Sequence, residues 1–214
     1  MEAAKRLDFG QTLKGGLQLS IKNAGTIIAA TILYVITAWI PYINIGTTIA
    51  FFTVLPVKLG KGESFSPTEI FDAKYRENMS DFFLVLGLLN AGVGMALLLF
   101  LIPGIIITWA WMLAAALVIN EGVKPFEALK LSYNATYGSK WPIFFSYLII
   151  GIIIWVIGLI LGLIATGLGL IATWLGVFVG LIFTTIVILI SFVAVIGLYG
   201  HIYTSLITEK PGVE

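Results

Sequence analysis

Side chains able to do chemistry are few in this sequence, and most crowd into one stretch. Asn120 to Pro142 reads NEGVKPFEALKLSYNATYGSKWP and holds Glu121, Lys124, Glu127, Lys130 and Lys140. Glu127 and Lys130 are three residues apart, the spacing at which side chains pair on one helix face. Such a pair can exchange a proton, but it more often decorates a solvated helix. Lys124, Lys130 and Lys140 have a second use, because ammonium groups at a membrane surface attract anionic lipid headgroups. These lysines are the lipid-headgroup candidates.

Two other positions could act. His201, the single histidine, lies in LYGHIYTS with no Asp, Glu or Cys beside it. Its chemistry is that of a structural ring or of a pH-sensitive contact. Asn90, in LLNAGVGM, is the strongly polar side chain set deepest in an apolar run. A buried amide in a membrane helix either bonds a neighbouring helix or lines a path. Asn90, Thr108 and His201 are therefore the pore or ligand candidates. Thr108, like Ser146, Thr184, Thr185 and Ser191, is the weaker case, because a hydroxyl can bond its own helix. There is no cysteine, which removes thiolate, disulfide and cysteine-metal chemistry. Phosphate loops, zinc spacings and nucleophile elbows are also missing. No catalytic residue, metal or cofactor is assigned, and the chain is not expected to be an enzyme.

The elements that hold these residues follow from composition. Of 214 residues, 59% are hydrophobic and 11% charged, against roughly 25% charged in a soluble domain. That places the chain in a bilayer as a single membrane domain over residues 1–214. The net charge of +1 argues against a nucleic-acid partner. Lysine and arginine fall in clusters at the N-terminus (from Lys5), at 58–76, at 124–140 and at Lys210. Between them run Asn23–Val57, Phe82–Asn120 and Trp141–Thr208 without Asp, Glu, Lys or Arg. A helix crosses the hydrocarbon core with about 20 apolar residues. Each run therefore fits a helical hairpin, with breakers at Pro41, at Pro103–Gly104 and near Gly167. The third run is generous for two spans, so a re-entrant or surface-lying piece is expected near 162–176.

The expected fold is all-α and integral to the membrane, with about six transmembrane helices as hairpins. The positive-inside rule puts both termini in the cytoplasm of a bacterial or archaeal plasma membrane. Trp39, Tyr42, Phe100, Trp109 and Trp174 would form an outer aromatic belt, and Trp141, Tyr199 and Tyr203 an inner one.

A short amphipathic helix is expected before each hairpin. In SFSPTEIFD, Ser66, Pro67 and Glu69 suggest a capping box. In the stretch from Asn120 to Pro142, Phe126, Leu129, Tyr133 and Tyr137 share a face, with Glu127, Lys130 and Asn134 opposite. Near the N-terminus Phe9, Leu13, Leu17 and Ile21 do the same. Pro67, Glu69 and Tyr75 match Pro125, Glu127 and Tyr133 at one offset. A parallel threefold repeat over 7–59, 60–121 and 122–210 is expected on that pattern. Gly158 with Gly162, and Gly176 with Gly180, are small-xxx-small pairs suited to helix packing, within the chain or in a homo-oligomer.

The segment from Ile102 to Phe145 resembles a known membrane family. Pro103–Gly104, Glu121, Ala128–Leu129, Ser132, Gly138 and Trp141 carry the likeness, with FSPTEIFD before and IGLYGHIYTSL after. These residues are similar to the membrane domain that precedes the catalytic domain in some bacterial glycerophosphodiester phosphodiesterases, and to stand-alone relatives of unknown function. The resemblance implies a six-helix bundle. It implies no reaction, because the catalytic domain is not in this sequence. Two function classes stay open: a passive channel or transport-type homo-oligomer, and a module that binds lipid headgroups or a protein partner through basic interfacial helices.

Overall fold

A computed structural model describes residues 6–208, and among them the chain is helical, without a strand. Lys5 and Lys210 lie outside the described residues. Five helical segments are long and apolar enough to cross a membrane: Pro41–Gly60, Met79–Leu99, Leu101–Glu121, Lys140–Ile171 and Thr173–Thr208. The pair Phe9–Lys22 and Ala24–Thr37 qualifies as a sixth if it counts as one span, bent by 72°.

Helices α1 (Phe9–Lys22) and α2 (Ala24–Thr37) meet at Asn23, whose side-chain amide donates back to Leu19 O. Asp8 caps α1 by accepting from the Gln11 amide at 2.9 Å. The next span is α3 (Pro41–Ile49), a π-helical turn at Ala50–Val54, and α4 (Leu55–Gly60). Pro56 explains the widened turn. It has no N–H to close the preceding α-helical ring, and the ladder slips to i→i+5.

The segment from Ser64 to Arg76 does not form one capped helix. It makes two short 3₁₀ turns, Pro67–Phe71 and Ala73–Arg76, broken at Asp72. The expected capping box is absent: Ser66 Oγ pairs with Thr68 Oγ1, and the Glu69 carboxylate turns away to Lys58 and Tyr75.

Helices α5 (Met79–Leu99) and α6 (Leu101–Trp111) form a hairpin that turns at Phe100, so Pro103 and Gly104 sit inside the first turn of α6. Gly104 has Leu97 across the hairpin where a Cβ would go. After a break at Met112–Leu113 come α7 (Ala114–Glu121) and α8 (Pro125–Ala135), joined through Gly122 at φ +64°.

The third charge-free run holds α9 (Lys140–Ile171, 32 residues) and α10 (Thr173–Tyr203, 31 residues), ending in a π turn at Thr204–Thr208. The re-entrant piece expected near 162–176 is not there. Both helices run through it and reverse at Ala172. At 1.5 Å per residue α9 is about 48 Å long, well beyond the ~30 Å core.

Packing concentrates on the last turns of α10. Leu198, Ile202 and Tyr203 are buried with Leu113, Leu117 and Ile143, while Ile196 joins a second cluster with Ile27, Phe51 and Ile70. Small residues make this crossing close. Thr12, Gly16 and Ser20 are the buried face of α1. Gly16 abuts Leu198, Gly197 abuts Ser20, and Gly200 abuts Pro56 O. The expected apolar face of α1 is divided: Leu13 packs against the core, whereas Ile21 is 76% exposed.

Candidate functional site

Polar side chains gather where α4, α7 and α10 end. Tyr203 is fully buried, and its hydroxyl donates to Glu121 Oε1 at 2.9 Å. Lys61 Nζ reaches the same oxygen at 3.1 Å. One residue earlier, the Asn120 amide donates to Thr53 O inside the π turn and to Ala116 O, both at 2.9 Å. The widened turn frees a carbonyl, and α7 supplies its donor.

A second group surrounds Glu69. Lys58 Nζ lies 2.6 Å from Glu69 Oε1 and the Tyr75 hydroxyl donates to it at 2.5 Å, with Lys74 at 3.6 Å. Burial alone would raise the Glu69 carboxyl. The hydrogen bonds from Lys58 and Tyr75 and the two ammonium charges outweigh it and hold the group below its ordinary value. Tyr75 moves up, through burial first and then the carboxylate it bonds. The hydrogen bond from Lys74 lowers exposed Asp72, and the same bond raises Lys74.

The break at Met112–Leu113 is closed by distant residues. Ser132 Oγ donates to Ala110 O at 2.8 Å and accepts from the Leu113 amide at 3.2 Å. Thr136 also donates to Ala110 O, and the Tyr199 hydroxyl donates to Met112 O at 3.0 Å. Backbone that leaves the helical ladder must find such partners inside a membrane protein. Tyr199 and Tyr203 thus turn their hydroxyls into the bundle instead of forming an inner belt. Trp109 leaves the expected outer belt too, half-buried and stacked on Tyr147, whereas Trp39, Tyr42, Phe100 and Trp174 are exposed.

The sequence-derived candidates do not converge on one site. Asn90 is exposed, and its amide donates to Leu86 O on its own helix. Thr108 is exposed and bonded to Gly104 O. Ser146, Thr185 and Ser191 likewise bond the preceding turn. His201 is half-buried, its ring packed against Gly15 of α1. Gly176 is held against Gly169 and Ala165 of α9, and Gly180 faces Ala165 at longer range. Gly158 touches only Val187, and Gly162 has no neighbour within 4 Å of a Cβ.

Lys130 sits on a face that the periodicity misassigned. Ala128, Ser132, Ala135 and Thr136 are the buried side around α8. Phe126, Tyr133 and Tyr137 are exposed together with Lys130, on the same arc of the helix. Glu127 and Lys130 form no ion pair. Lys140 Nζ lies 4.2 Å from the Tyr133 ring centroid and 5.8 Å from that of Tyr137. Among the described residues no carboxylate pairs with Lys124, Lys130 or Lys140. Beside Lys140, Trp141 stacks on Phe145 and meets Phe144 edge-on.

Farther along α9 an apolar groove of about 460 Å³ opens between Trp109, Phe144, Tyr147, Gly151 and Trp155. Among the described residues there is no His, Cys, Asp and Glu group able to hold a metal. No family model matches the chain, and no curated protein or solved structure is significantly similar to it.

Proposed function

We propose that this chain is a non-catalytic, multi-pass membrane module that holds anionic lipid headgroups on the basic, aromatic face of α8 and the start of α9. One observation carries the reading: Lys140 rests over Tyr133 and Tyr137 with no carboxylate partner among the described residues, and Lys130 is exposed on the same arc of α8 as those rings. An ammonium over aromatic faces keeps its charge available, and such rings favour the headgroup region. Lys124, at the start of α8, adds a third cation.

The reading includes a topology: three hairpins with both termini in the cytoplasm of a prokaryotic plasma membrane. The clustering of lysine and arginine supports that side. The parallel threefold repeat and the kinship with the phosphodiesterase membrane domain belong to the same proposal and rest on the sequence matches. Replacing Lys124, Lys130 and Lys140 together by Gln should reduce anionic-lipid retention in native mass spectrometry. Retention equal to the parent protein would sink the reading.

A second reading, a passive channel or transport-type homo-oligomer, draws on the position of Asn90. Its amide faces outward from α5 beside Gly87 and Gly94, where added Cβ atoms meet nothing within 4 Å. A path lined by Asn90 would then lie between copies. Solute flux into liposomes that Asn90→Leu abolishes would favour it, and absence of flux for any ion or small solute would remove it.

A further inference from the structure

The lipid site has a second half, on α9. Lys140, Phe144, Tyr147, Gly151 and Trp155 recur every three or four residues and so share one stripe of that helix. All but Lys140 line the groove, and Trp109 of α6 forms its opposite wall. Gly151 leaves the middle of the groove open, since a Cβ there would meet nothing within 4 Å. From Phe144 to Trp155 the groove runs about 16 Å, the depth of one leaflet of a ~30 Å core. Its only charged neighbour on the stripe is Lys140, one turn beyond Phe144.

A cation at one end and an apolar trough of leaflet length match an anionic amphiphile. We infer that one anionic phospholipid of the surrounding bilayer lies along α9, its phosphate on the Lys140 ammonium and one acyl chain in the groove against Gly151. A second protein helix fits less well: the groove is floored by one glycine, and α9 has no further small residue on this stripe until Gly158. The inference rests on the headgroup reading above and adds the chain-binding half and the stoichiometry.

The test uses the full-length protein in detergent titrated with phosphatidylglycerol or phosphatidylcholine, read by native mass spectrometry. The parent protein should retain one phosphatidylglycerol tightly. Gly151→Leu puts a side chain into the groove from a position whose Cβ meets no neighbour, and should weaken that retention about tenfold, a loss of about 1.4 kcal/mol. Lys140→Gln should remove the preference for phosphatidylglycerol over phosphatidylcholine. If Gly151→Leu retains the lipid as well as the parent while the triple lysine variant loses it, the groove is overturned and the headgroup reading survives. If the parent shows no preference for phosphatidylglycerol, both fail. A preference unchanged in Lys140→Gln overturns the placement of the phosphate. An independent arm needs no variant: a phosphatidylglycerol with a mid-chain diazirine should crosslink to 144–155 or Trp109. Crosslinks confined to other helices overturn the site.

Discussion

The Tyr203 hydroxyl and Lys61 Nζ converge on one oxygen of Glu121, at 2.9 and 3.1 Å. This contact ties the ends of α10, α4 and α7 together across three parts of the chain. Tyr203 is buried, so its hydroxyl has no water to turn to. Tyr203→Phe should lower stability by about 1 kcal/mol, because the carboxylate is partly exposed and solvent compensates for some of the loss. Thermal unfolding in detergent checks this. In a double-mutant cycle with Glu121→Gln the two losses should be less than additive.

Ser132 serves the α6–α7 break with both a donor and an acceptor. Ser132→Ala leaves the Leu113 amide unpaired in a buried setting, and Thr136 covers only the Ala110 carbonyl. The expected cost is about 1–3 kcal/mol. Thr185→Ala, which removes a bond to its own helix at an exposed position, should change stability by less than about 0.5 kcal/mol. Equal effects at the two sites would contradict the role given to Ser132.

Glycines divide by what lies over them. A methyl on Gly197 would run into Ser20, and one on Gly200 into Pro56 O. Gly197→Ala and Gly200→Ala should each destabilise by about 1–3 kcal/mol, because backbone or adjacent groups must shift. Gly162→Ala meets open space and should stabilise by up to about 1 kcal/mol through helix propensity. Denaturation midpoints of the three variants decide the matter.

Glu69 gives a pH dependence with a defined sign. Its folded-state value lies below the ordinary 4.5, so its contribution is complete above pH 4.5 and disappears as pH falls through the folded value. The stability difference between the parent and Glu69→Gln should stay constant from pH 7 to about 5.5, then shrink in more acid solution. A difference that grows on acidification would contradict the Lys58–Glu69–Tyr75 arrangement.

Long apolar helices were legible in the sequence wherever charge and length governed them. The apolar runs return as helices, and Gly176 lies against Gly169 and Ala165. Faces were less legible, for a physical reason. In a bilayer both lipid and protein interior accept apolar side chains, so periodicity in Phe, Tyr and Leu does not tell them apart. Phe126 and Tyr137 point out, whereas the small residues Ala128, Ser132 and Ala135 mark the packed side. The break at Met112–Leu113 was hidden because Tyr199, which closes it, is 87 residues away. The π turn had a local signal in Pro56, though its partner Asn120 lies 67 residues from Thr53. Lys61, Glu121 and Tyr203 were separately visible but nothing in their spacing joined them.

The central claim is that this bundle selects anionic lipid through a basic, aromatic face. The most direct measurement is the lipid carried by the intact protein when it is released from nanodiscs holding equal amounts of phosphatidylglycerol and phosphatidylcholine. Bound phosphatidylglycerol should exceed phosphatidylcholine, and the excess should vanish when Lys124, Lys130 and Lys140 are all Gln. Equal binding of the two lipids by the parent protein would contradict it.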